Sequence, residues 1–240
     1  YNAFFHLDEA QVKHDQISWD QGGDIEKQKK AVRNAFALLM LSAGTPMFAG
    51  GDELFRAIPQ YSPGLGRMNL VSVDNPDVYL DFRNKSLETD DVSGIFEFAR
   101  NLIRFRNTHE CLRPFNYFTG EINPQNGLKD ITWYNEDGNE IKDSDWQRTD
   151  FIAYRINAAF ENVQNESDRV ESIYVAYNRS PNDMQIKFPQ NLAGKQWHRV
   201  FDTYIPFCGM CKFEGNKDIY TLVEIEYKLH ERSILVLVEI

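Results

Sequence analysis

The chain has 240 residues, enough for one large domain or two ordinary ones and enough to bury a substantial core. Hydrophobic residues at 42% and charged residues at 26% are an ordinary globular balance, with aromatics on the rich side at 13%. The formal net charge of −10 argues against nucleic-acid and anionic-membrane partners, which call for a positive field, and is compatible with a neutral, polyhydroxylated ligand.

No apolar run approaches the roughly 20 residues that span a bilayer. The chain opens at Tyr1 rather than Met and shows no signal-peptide pattern, so it is expected to be a fragment or a processed piece. Three cysteines do not make a disulfide framework. Residues 1–23 read as a loop closed by Gly22 and Gly23. Asp24 is placed to cap a helix, Glu26 suits its positive end, and the helix is expected to run to Ser42. Val32, Ala35, Phe36 and Leu39 share one face at helical spacing, while the run Lys27, Lys29, Lys30, Arg33 reads as a solvated face. Gly44 and Pro46 stop the helix, and residues 47–49 are expected to form a short buried strand ending in Gly50-Gly51-Asp52-Glu53. A long loop should follow to residue 91, then a second amphipathic helix over 93–106 with Ile95, Ala99, Leu102 and Ile103 inward.

After Pro114 the pattern changes to strands. Residues 131–134, 151–156, 172–177, 185–188, 197–201, 222–227 and 234–240 all read as strands, with a turn at Asn135-Glu136-Asp137-Gly138. The continuous apolar run 234–238 is expected to be central. Seven such strands suggest an antiparallel sandwich, with the boundary near 109–114.

Particular segments carry a resemblance. Ser18-Trp19-Asp20-Gln21-Gly22, the 37–47 stretch ALLMLSAGTPM, Gly50-Gly51-Asp52-Glu53 followed by Arg56, the HECLRP segment 109–114, Ile131-Thr132-Trp133-Tyr134, the 172–178 stretch SIYVAYN and Trp197-His198-Arg199-Val200 occur in an order that resembles the isoamylase and glycogen-debranching group of glycoside hydrolase family 13, the alpha-amylase superfamily. The resemblance implies α/β followed by all-β: residues 1–110 as the last part of a (β/α)8 TIM barrel and residues 111–240 as a C-terminal antiparallel β-sandwich. It also implies hydrolysis of α-1,6 branch linkages in glycogen- or starch-like glucans by a retaining carboxylate pair. The family's three catalytic acids belong to earlier strands, so no catalytic residue is expected here. This chain alone is expected to be inactive and to need a missing N-terminal barrel half. The partner expected is a branched α-glucan, with no cofactor or metal, in a cytoplasmic or plastid-type soluble compartment rather than outside the cell. The alternative is a non-catalytic relative that binds glucan or a catalytic subunit.

Asp52 and Glu53 form a carboxylate pair at a strand end, but neighbours on a strand point to opposite faces, so they read as support for subsites or the barrel rim. Arg56, Asn69, Asp74 and Trp19 are the further candidates for substrate-binding or rim support. The 67–74 segment keeps Asn69 and Asp74 of the family's pattern, yet Val71 stands where an aromatic is expected. Cys208-Gly209-Met210-Cys211 reads first as free thiols, then as a local disulfide, and last as part of a zinc site. Asn84, Asn165 and Asn178 head N-x-Ser sequons, which matter only in a secreted protein.

Overall fold

A computed structural model describes residues 24–48, 50–54, 90–124, 127–142, 146, 150–159, 170–205, 213–214, 217–218, 221–223 and 225–240. Helix α1, Ile25–Leu41, starts at the expected cap: the Asp24 carboxylate accepts from the amides of Glu26 and Lys27 at 3.1 and 3.2 Å. Ser42 ends it, donating its amide and its hydroxyl to the Leu38 carbonyl. Helix α2, Asp90–Thr108, starts earlier than its apolar spacing suggests. Its buried stripe is Ile95, Phe98, Ala99, Leu102 and Phe105, whereas Ile103 is exposed. The two helices pack against each other through these residues and Val32, Phe36, Ala37, Met40 and Leu41 of α1.

Among the described residues ten strands follow: β1 Ile131–Tyr134, β2 Phe151–Ala159, β3 Val170–Asn178, β4 Met184–Lys187, β5 Trp197–Asp202, β6 Phe213–Glu214, β7 Lys217–Asp218, β8 Thr221–Leu222, β9 Glu226–Leu229 and β10 Ser233–Glu239. A six-stranded sheet runs in the order β1-β2-β3-β10-β5-β8, and β4-β9 and β6-β7 form two-stranded sheets. Each of these pairings is antiparallel. The mostly antiparallel β character and the interior place of β10 agree with the sequence reading. The predicted turn is present too: Asn135 Oδ1 accepts from the amides of Asp137 and Asn139, and Gly138 takes φ 74°. A side chain at Gly138 would press on the Phe188 carbonyl oxygen at 2.8 Å, so glycine is required there on two counts.

Three expectations need correction. Met47 and Phe48 form no strand, and among the described residues 24–112 contribute helices and short 3-10 turns only, so no barrel strand is present there. The segment 222–227 is not one strand: its alternation is broken between β8, which pairs with β5, and β9, which pairs with β4. The lysine-rich face of α1 is solvated at Lys27 but not beyond it. Lys29, Lys30 and Arg33 are buried, and two of them dock on the β-layer. Lys30 Nζ donates to the Glu231 carbonyl at 3.0 Å and pairs with its carboxylate at 3.3 Å, while Arg33 Nε donates to the Thr203 carbonyl at 3.0 Å. Asn34 Nδ2 joins them at the Arg232 carbonyl, 2.7 Å away. Residues at i, i+3 and i+4 share one helix side, so one stripe of α1 grips the ends of β5 and the β9–β10 turn.

The six-stranded sheet is therefore covered on both faces. Ile156, Ile173, Val175, Val200, Phe201, Ile234, Val236 and Val238 pack with the helices. Phe151, Ala153, Tyr174, Ala176, Trp197, Leu235 and Leu237 pack with Ile186, Phe188 and Leu229 beneath β4-β9. The first of these cores runs without a break from Val32 through Leu112 to Val238.

Candidate functional site

The segment that leaves α1 is fixed from several sides. Arg106, in the last turn of α2, donates through Nη1 to the carbonyls of Met40 and Ser42 and through Nη2 to that of Gly44 at 2.6 Å. Gly44 has φ 98°, a conformation that favours glycine. Phe48 then meets Phe36 edge-on, with ring centroids 5.5 Å apart. Gly51 takes φ 101° and opens a 3-10 turn, Asp52–Leu54. Leu54 is buried beside α2 and donates its amide to the Gly51 carbonyl at 3.0 Å.

Asp52 and Glu53 thus lie on a 3-10 turn, not on a strand, so the argument from alternating strand faces does not apply to them. Glu53 Oε2 accepts from the Gly51 amide at 2.8 Å and closes its own turn. That bond makes Glu53 a brace of the 50–53 turn. Both side chains are half-buried. Arg56, Asn69, Asp74 and Trp19, like Cys208 and Cys211, lie outside the described residues, so the structure brings together only Asp52 and Glu53 of the expected set.

Two other places carry unusual polar groups. Asp202, at the end of β5, is fully buried, and burial pushes its carboxyl above the usual carboxylate range. The Tyr204 amide and the Tyr227 hydroxyl donate to it at 2.8 and 2.9 Å and work against that rise. Beside it Tyr204 stacks on His230 at 3.7 Å, and Lys30 lies over the tyrosine ring. The second place is a closed network. Arg155 bonds to the Glu239 carboxylate, to Ser172 Oγ at 3.1 Å and to Asn157 Oδ1 at 3.0 Å, and stands over the Trp197 ring. Glu239 also accepts from the Leu192 amide at 2.6 Å. Every polar group named in this network has a partner, and Arg155, Asn157, Ser172 and Glu239 are all buried, which suits structure rather than catalysis.

Among the described residues no group of three His, Cys, Asp or Glu side chains could hold a metal. Cys111 is buried, and burial beside Glu171 pushes its thiol far up, so it is inert. The sequon at Asn178 is closed: the side chain is fully buried and donates to the carbonyls of Asn182 and His230 at 2.8 and 3.0 Å. The sequence reading missed one exposed feature. Phe115 and Tyr117 stand fully in solvent, 102% and 93% exposed, two positions apart on the stretch after α2. Flat aromatic faces of this kind can stack on apolar faces of sugars or pack on protein.

Comparison with known proteins gives these arrangements a context. Residues 130–238 match the family model described as Isoamylase, C-terminal. An isoamylase of Flavobacterium sp. is 34% identical over 189 residues, covering 78% of this chain and 22% of that protein. A glycogen operon protein GlgX homolog of Mycobacterium bovis is 29% identical over 214 residues, covering 87% of this chain and 27% of the relative. A chloroplastic isoamylase SU1 of Zea mays is 25% identical over 216 residues. Among solved structures, pullulanase type I from Bacillus subtilis, crystallised with maltose, superposes with a TM-score of 0.52 at 18% identity, over 90% of this chain and 24% of that one. The chain spans about a fifth to a quarter of the length of these relatives.

Proposed function

We propose, from the premise that this chain belongs to the isoamylase and glycogen-debranching group and carries its C-terminal domain, that it serves as the C-terminal portion of a hydrolase cleaving α-1,6 branch linkages of glycogen- or starch-like glucans. The observation that carries the reading is the match of residues 130–238 to the isoamylase C-terminal family, on a sheet to which α1 and α2 are bound as a cover. On this reading residues 1–110 supply helices α1 and α2 to a (β/α)8 barrel whose strands lie in a preceding stretch of chain, and residues 111–240 are the β domain beside it. The nucleophile and the general acid, a carboxylate pair of the retaining type, belong to that preceding stretch. The 50–53 turn, with Asp52 and Glu53, forms part of the rim of the glucan cleft, and Arg56, Asn69, Asp74 and Trp19 support it. No cofactor enters the mechanism. A cytoplasmic or plastid-type compartment suits a branched storage glucan, and the name of the maize relative places that protein in the chloroplast.

The test is release of reducing ends from glycogen and amylopectin, measured for the 240-residue chain and for a longer protein that contains it. Release by the longer protein alone is expected. Release by the short chain would overturn the assignment of the catalytic acids elsewhere.

A second reading is favoured by Phe115 and Tyr117, whose open faces suit glucan binding without hydrolysis. Retardation of the longer protein on a glucan affinity gel, without turnover, would select it.

A further inference from the structure

The C-terminal end of α1 is short of charge compensation. A helix gathers partial negative charge on its last carbonyls, which a cation in the last turn offsets, but α1 has no basic residue in its own last turn. Arg106 supplies the cation from the neighbouring helix. Its guanidinium is buried, and among the described residues its acceptors are three backbone carbonyls, those of Met40, Ser42 and Gly44. Burial pulls its pKa down, so the charge is held there against a desolvation cost by those carbonyls.

The position of this clamp matters more than its strength. The three acceptors belong to the last turn of α1 and to the residues immediately after it, where the chain leaves the helix for the 50–53 turn. Between the clamp and the turn, contacts come from Phe48 on Phe36, and beyond it from Leu54 beside α2. Gly44 makes the clamp possible in its present form, because φ 98° is strained for any side-chain-bearing residue while nothing lies within 4 Å of a Cβ there. A substitution at Gly44 therefore changes backbone direction without a clash. Arg106 itself is held in register by Arg113, whose Nε donates to the Arg106 carbonyl at 3.1 Å.

We propose that Arg106 is a positioning residue: from α2 it fixes the exit of α1 and so sets where the Asp52–Glu53 carboxylates stand, an inference whose substrate side rests on the reading of the 50–53 turn as the rim of a glucan cleft. Arg106 touches no substrate. It acts through the backbone it holds.

The experiment uses the longer protein that contains this chain, with Arg106→Met, Arg106→Lys and, in case the first does not fold, Gly44→Ala. Hydrogen exchange is followed in peptides covering 42–54 and 233–239, and kcat and KM are measured on amylopectin. For Arg106→Met, exchange over 42–54 should rise about tenfold while that of β10 stays within about twofold. KM should rise about five- to tenfold with kcat nearly unchanged. Arg106→Lys should recover part of both effects, and Gly44→Ala should reproduce them more weakly. Equal loosening of both peptides, or none over 42–54, overturns the positioning role. Faster exchange over 42–54 with an unchanged KM overturns its link to the glucan cleft. A parent protein without debranching activity overturns the proposed function instead, and leaves the exchange result to decide the role of Arg106.

Discussion

The two faces of the six-stranded sheet are covered in different ways, and β10 displays both. Its residues Ile234, Val236 and Val238 meet the helices, where the fully buried sheet side of the contact is aliphatic apart from Phe201 and the half-buried Tyr154 and Tyr177 flank it. Leu235 and Leu237 meet the β4-β9 side, where Tyr174, Phe188 and Trp197 cluster with ring centroids 5.7 to 5.8 Å apart. One step further along this second face the apolar surface stops, and Glu239 enters the Arg155 network. On the helix side the polar work is done at the margin, by Lys30, Arg33 and Asn34 reaching backbone carbonyls. A helix can be attached through its edge and can settle onto a smooth surface. A two-stranded cover is too narrow to seal a six-stranded sheet, and buried charge paired within the sheet fills the remainder.

This contrast can be broken first at the charged end. Arg155→Met leaves Glu239 buried without its cation and should cost about 3–5 kcal/mol in urea unfolding. Arg155→Met combined with Glu239→Leu should cost less than the single change, because no orphaned charge remains. A double variant worse than the single would mean that Glu239 is worth more as the acceptor of the Leu192 amide than it costs as an unpaired buried charge. Next come neighbours on β10 that point to opposite covers. Leu235→Ala and Ile234→Ala should each cost about 2–5 kcal/mol, with the former the larger by about 1 kcal/mol, since rings on separate strands close a gap less readily than a helix does. Equal costs would show that the polar grip on α1 keeps the helices from settling.

The smallest effect is a pH slope at Asp202. Burial raises its pKa above the unfolded value, so between the two values the folded chain holds a proton that the unfolded chain has released. That stability is present below the ordinary carboxylate pKa of about 3.9 and is lost as pH rises through the folded value. Asp202→Asn should remove this falling slope from unfolding curves measured across mildly acid pH. The parent chain should show no such slope to remove if Arg33, Arg199 and His230 nearby keep the carboxylate charged.

Much of the β-layer was legible because period-two alternation and apolar runs act locally: β1 appears over the very residues expected, and the run at 234–238 proved central. The break between β8 and β9 was not legible, since alternation through 222–227 is the same whether the chain pairs with one strand or changes partner from β5 to β4. The grip of Lys30 and Arg33 was hidden for a similar reason. A basic helix stripe looks solvated until the carbonyls of Glu231 and Thr203 are brought beside it from more than 160 residues away, at separations of 201 and 170. At the candidate site, sequence located Asp52 and Glu53 but assigned them a strand, because Gly50-Gly51 punctuates a strand end and a tight turn alike. Arg106 gave no signal at all. An arginine in the last turn of a helix ordinarily serves its own helix, and only packing shows that this one serves another.

The bond from Lys30 to Glu231 joins positions 201 residues apart. At a ribosomal rate of about 5–20 residues per second, about 10–40 s pass between the making of the two partners. Throughout that interval α1 carries Phe36, Ala37 and Met40 without the complete sheet they lie on, because β10, the strand between β3 and β5, has not yet been synthesised. The nascent chain must shelter that apolar stripe against α2 or a chaperone, and the order of synthesis places the greatest aggregation hazard before the appearance of β10.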